Sequence, residues 1–100
     1  MAVNLYRELD SAKNWSYRDQ VTRAGLSIPS NIAEGCERDS GRDTARFLNI
    51  AKGSCGELVT QLYIGIEVGF IDREMGFVWV NEIKEIAAML GSLAKRYRNS

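Results

Sequence analysis

The sequence predicts an all-α protein, an antiparallel up-and-down four-helix bundle with a short first helix. Three observations carry this: apolar residues recur at steps of three and four over most of the chain, hairpin signals are missing, and the breaks between periodic stretches are short. The chain has one proline and no Asn-Gly or Asp-Gly pair, so the turn chemistry of most β architectures is lacking. Its 100 residues, 45% hydrophobic and 26% charged, suit a single domain around one core. Connections of roughly two to eight residues place consecutive helices side by side.

The first expected helix spans residues 3–13. Val3, Leu5, Tyr6, Leu9 and Ala12 support three turns before Asn14-Trp15-Ser16, near the length at which an isolated helix is marginal, so it must lean on its neighbours. The second, residues 16–38, carries an apolar face of Tyr17, Val21, Ala24, Ile28, Ile32 and Cys36. It also contains Pro29, which removes a backbone hydrogen bond at a cost of about 3 kcal/mol.

The third expected helix, residues 41–69, opens on Ser40-Gly41-Arg42-Asp43, close to a capping box with Asp in place of the usual Glu or Gln. Its seam is Leu48, Ala51, Cys55, Leu58, Leu62, Gly65 and Gly69. The fourth, residues 73–98, starts at Asp72 as N-cap with Glu74 near the positive helix end. Trp79, Ile83, Ile86, Leu90, Leu93 and Tyr97 form its seam. Gly53, Gly56, Gly65, Gly69 and Gly91 sit inside these helices, which fits either close backbone approach or plain tolerance of a packed helix.

Composition excludes several activities. Thirteen basic and thirteen acidic residues cancel, against general polyanion affinity. No apolar run approaches the roughly 20 residues of a membrane span, and Met1-Ala2-Val3-Asn4 is not a secretory leader, so a cytoplasmic location and no membrane partner are expected. Cys36 and Cys55 lack metal-ligand spacing and read as buried thiols. With no histidine, neither Ser27 nor Ser54 has an imidazole base, and the Glu-x-x-His pairs of di-iron bundles are missing beside Glu34 and Glu57. Gly53-Ser54-Cys55-Gly56 lacks the lysine and spacing of a phosphate-binding loop. No catalytic residue, metal or cofactor is therefore expected, and the chain reads as a non-enzyme.

Two polar strips stand out. Arg23, Ser27, Ser30 and Glu34, with Asn31 alongside, share one face of the second expected helix; Ser54, Glu57 and Gln61 lie in the middle of a stripe on the third. The strips either face each other, with Glu57 paired to Arg23 and Asn31 or Ser54 hydrogen-bonded between helices, or are simply solvated.

Charge placement points to one end of the molecule. Residues 86–100 hold three basic side chains and no acidic one, whereas residues 53–85 hold two basic and six acidic. An up-and-down arrangement brings Arg38, Arg42 and Arg46 near Lys95, Arg96 and Arg98, a candidate surface for a nucleic-acid backbone. The competing reading is that these cations merely favour a helix C-terminus, with Glu34, Glu37, Asp39 and Asp43 diluting the patch.

The run Ser27-Ile28-Pro29-Ser30-Asn31-Ile32-Ala33-Glu34-Gly35, preceded by Gln20 and Arg23-Ala24 and followed by Arg46-Phe47-Leu48, Gly53-Ser54, Glu57-Leu58 and Gln61-Leu62, closely resembles the bacterial family of 23S rRNA-intervening sequence proteins. The resemblance runs from about Leu5 to Leu93. It implies a four-helix bundle assembling as a cyclic homopentamer; a related branch comprises accessory proteins of diversity-generating retroelements that bind nucleic acid. Family members usually carry a longer first helix, so here less apolar surface is covered within one copy. The resemblance also favours reading Arg23, Ser27, Asn31, Glu34, Ser54 and Glu57 as a structural network or subunit interface. The functional expectation is a homo-oligomeric scaffold or adaptor that meets RNA, DNA or a nucleoprotein through its basic end. A protein-protein interaction module without nucleic-acid contact is the alternative.

Overall fold

Residues 2–100 are described by a computed structural model, with side chains from Asn14 onward. The apolar residues expected to face the core from the first helix, Val3, Leu5, Tyr6, Leu9 and Ala12, lie outside the described side chains. Three helices are present: α1 (Ala2–Cys36), α2 (Gly41–Val68) and α3 (Arg73–Arg98), with no strand among the described residues.

The all-α class holds, but four expected helices become three. Residues 3–13 and 16–38 belong to one continuous helix, running through Asn14-Trp15-Ser16 and through Pro29. The physical reason lies in helix statistics. Asn, Trp and Ser cost only fractions of a kcal/mol each in a helix interior, whereas starting a second helix requires a new, unfavourable nucleus. With neither Gly nor Pro at the expected break, continuation wins.

Both turns follow their sequence signals. Ser40 caps α2, its Oγ accepting the Asp43 backbone N–H at 3.1 Å. The Thr44 hydroxyl donates to the Gly35 carbonyl at 2.9 Å, satisfying an orphan acceptor at the end of α1 and tying the two helices together. Gly69, expected within the helix and its seam, instead ends α2 as its exposed cap in the left-handed region at φ 83°, which a Cβ would disfavour. Asp72 then caps α3 through its carboxylate, which accepts the Met75 N–H at 3.1 Å.

The helix α2 lies in the middle, packed on α1 along one side and α3 along the other; among the described residues the backbones of α1 and α3 do not approach each other closely. The backbone spans 63 × 23 × 13 Å, so its least dimension is about one helix diameter. The expected seam of α2 is the core: Leu48, Ala51, Cys55, Leu58, Leu62 and Gly65 are buried, joined by Ala24 and Ile28 from α1.

Helix α3 is rotated from expectation. Gly76, Val80, Leu90 and Ala94 face α2, and of the expected seam only Leu90 is buried. Trp79, Leu93 and Tyr97 remain 41%, 39% and 42% exposed. Small residues let α3 approach α2 closely on one side; Ile83 and Ile86 pack at the edge of the core, Trp79 and Ile83 border the space between α1 and α3, and Leu93 and Tyr97 lie open near the end of α3. The thiols also divide: Cys55 is buried as expected, its pKa pushed up by burial, while Cys36 is exposed.

Candidate polar network, basic end and apolar groove

Three of the six expected network residues meet. Asn31, one turn beyond Ser27 on α1, donates from Nδ2 to the Ser27 carbonyl at 2.8 Å and to Ser27 Oγ at 3.0 Å. Ser27 and Ser54 bring their hydroxyls to 2.7 Å across the α1–α2 interface, and Ser54 Oγ also reaches the Ile50 carbonyl at 3.3 Å. Ser54 is buried. If its proton goes to Ile50, Ser27 donates to Ser54 and Asn31 to Ser27, a directed chain in which each hydroxyl gives one bond and accepts another.

The remaining three residues take other roles. Arg23, exposed, pairs with Asp19 one turn earlier at 3.1 Å rather than with Glu57, which is exposed on α2. Glu34 pairs with Arg38, also one turn away. Local i,i+4 geometry satisfies both charges without a cross-helix pair, at little desolvation cost. The middle of the strip is thus a helix-helix joint and its charged ends are solvated.

Tyr17 adds a contact that polar spacing did not mark. Its hydroxyl donates to the Gln61 carbonyl at 2.5 Å, and its ring lies 5.3 Å from that of Phe70 in the α2–α3 turn. A Cβ on Gly65 would collide with the Tyr17 hydroxyl, so the glycine makes room for this side chain. Burial pushes the Tyr17 pKa up, partly offset by the Gly65 backbone. The Gln61 side-chain oxygen beside this joint is buried without a partner.

At the opposite end, α2 begins against the close of α3: a Cβ on Gly41 would strike the Tyr97 carbonyl oxygen. Arg42, Arg46 and Arg98 border one shallow depression floored by Ala45, Asn49 and Ile50. Arg96 lies with Leu93, Tyr97 and Ser100 around another, and Lys95 is exposed outside both. The Phe47 ring is flanked by two guanidinium groups, Arg38 at 4.9 Å and Arg46 at 4.6 Å from its centroid. Both also face acids, Arg38 with Glu34 and Arg46 with Asp43 at 3.4 Å, so their charge is partly neutralised.

Between α1 and α3, above α2, runs an apolar groove. Val21 and Gly25 form one wall, Trp79 and Ile83 the other, and Leu58 and Leu62 the floor. Toward the α2–α3 turn it continues past Tyr17, Arg18, Phe70 and Met75, with Val21 and Trp79 common to both stretches. The seam of α3 was legible in the sequence; that Trp79 and Ile83 would border a groove was not, because that depends on how α3 is rotated on α2. No described helix is long and apolar enough to cross a membrane.

No curated protein matches the chain. A family model, by contrast, matches residues 1–92, nearly the whole length and both motif-bearing helices α1 and α2. The Ser27–Asn31–Ser54 joint lies within that span, and the chain belongs to the family of 23S rRNA-intervening sequence proteins.

Proposed function

We propose that this chain is a non-enzymatic, self-assembling helical scaffold whose basic end contacts a nucleic-acid backbone, RNA in the first instance. The observation that carries the assembly reading is the amount of large apolar side chain left open on so thin a protein. Trp15, Leu26, Ile64, Val68, Val78 and Met89 are each close to half exposed or more, in addition to Trp79 in the groove wall. Scattered singly such residues are ordinary; a continuous apolar channel is a contact surface. A closed ring of five copies is the form that the family resemblance implies.

The nucleic-acid reading rests on Arg42, Arg46 and Arg98 meeting around one depression. One copy offers few phosphate contacts, and repetition around a ring multiplies them. The acids paired with Arg38 and Arg46 favour the rival, a protein-protein module that leaves nucleic acid alone. Light scattering tests assembly: a molar mass several times 11.2 kDa at micromolar concentration supports it, and the monomer mass refutes it. An electrophoretic shift with structured RNA tests the partner, comparing the native chain with one in which Arg42, Arg46, Arg96 and Arg98 are neutralised. A shift lost in the variant supports the RNA reading; no shift with either chain favours the rival.

A further inference from the structure

We propose that the groove between α1 and α3 is occupied by the first three turns of α1, residues 2–13, from a second copy of this chain. The proposal rests on the self-assembly reading and names the surface that carries it.

The first argument is length. The α1 side of the groove runs from Asn14 to Gly25. At 1.5 Å per residue that wall is about 17 Å long, and residues 2–13 make a helical segment of about 18 Å.

The second is pattern. On a helix, Ala2, Leu5, Leu9 and Ala12 fall on one stripe flanked by Tyr6 and Lys13 on one side and Glu8 on the other, while Asn4, Arg7 and Ser11, with Val3, fall opposite. A segment with a narrow apolar stripe flanked by Lys13 and Glu8 suits a channel whose apolar walls are bordered by Asn14, Arg18, Thr22, Asp72 and Glu82, polar groups that include charges of both signs.

The third argument decides whose segment it is. Residues 2–13 continue the same helix that forms the groove wall. A segment collinear with a wall cannot lie beside that wall, so the chain's own first turns do not reach its own groove. Tyr17 already packs on Phe70 in the α2–α3 turn, so the helix carries its earlier turns past that end of the molecule. Each copy therefore presents one segment and one groove, and a closed exchange leaves neither unfilled.

The test uses the full chain with Trp15→Phe, which leaves Trp79 in the groove wall as the single indole. Leu5→Glu with Leu9→Glu puts two carboxylates on the apolar stripe; Leu5→Met with Leu9→Met preserves it. The proposal expects the Glu pair to weaken self-association at least about a hundredfold, shift Trp79 emission to the red and leave helix content unchanged, with the Met pair behaving as the parent. Assembly and Trp79 emission equal to the parent's in the Glu pair overturn the exchange while leaving self-assembly standing. A parent that is monomeric with Trp79 shielded also overturns it, because the segment then covers its own groove. A parent that is monomeric with Trp79 exposed refutes the assembly reading itself.

Discussion

The hydroxyls of Ser27 and Ser54 meet at 2.7 Å across the α1–α2 interface, with Asn31 holding the Ser27 side from one turn away. Removing either hydroxyl leaves a partner in need of a bond in a partly buried place. Ser27→Ala and Ser54→Ala are each expected to destabilise by about 1 kcal/mol, and the double variant by less than their sum. Urea denaturation of the four chains measures this; full additivity would mean that the two hydroxyls do not interact.

Tyr17 and Gly65 form a second coupled pair at the other end of the same interface. A methyl group on Gly65 meets the Tyr17 ring, so Gly65→Ala is expected to destabilise by about 1–3 kcal/mol. The cost should shrink when Tyr17→Ala is added, because the closest clash disappears and only the flexible end of Ile71 has to move. Equal cost in both backgrounds would place the penalty elsewhere.

Tyr17 also predicts an alkaline limit. Its folded pKa lies above the ordinary 10.0 because burial disfavours the phenolate, so the folded protein holds a proton that the unfolded chain releases. The stabilising contribution is fully present below pH 10.0 and is lost as pH rises from there through the folded pKa. Cys55, raised from 9.0 by burial, acts in the same direction from pH 9.0 upward. Tyr17→Phe should flatten the decline above about pH 10 in a plot of unfolding free energy against pH. A variant that declines as steeply as the parent would assign the loss to other groups.

Pro29 occupies an exposed position inside the continuous helix α1. Its exposure leaves little burial to offset the missing hydrogen bond, so Pro29→Ala is expected to stabilise the isolated chain by about 1–3 kcal/mol. A thermal midpoint that falls instead would show that the proline shapes how α1 seats on α2.

The sequence reading and the structure part company where tertiary choice overrides local pattern. Caps at Ser40 and Asp72 and the apolar seam of α2 were legible because each depends on residues within a turn or two. The α1 joint at Asn14-Trp15-Ser16 was not, since a run of mediocre helix formers permits a break without demanding one. The glycines show the same division: Gly65 and Gly76 are forced by close neighbours, while Gly53 and Gly56 face open space, a distinction that spacing does not carry. Of the polar strip, Ser27, Asn31 and Ser54 converge as a cross-helix joint. The expected Arg23–Glu57 pair fails because Asp19 is nearer along the same helix.

Trp79, 41% exposed in the groove wall, reports most directly on whether another copy covers this surface. In the Trp15→Phe chain its emission should be that of a shielded indole at micromolar concentration and should shift to the red on dilution, in step with a falling molar mass. Emission of an exposed indole at every concentration, with a constant mass of 11.2 kDa, would contradict the account.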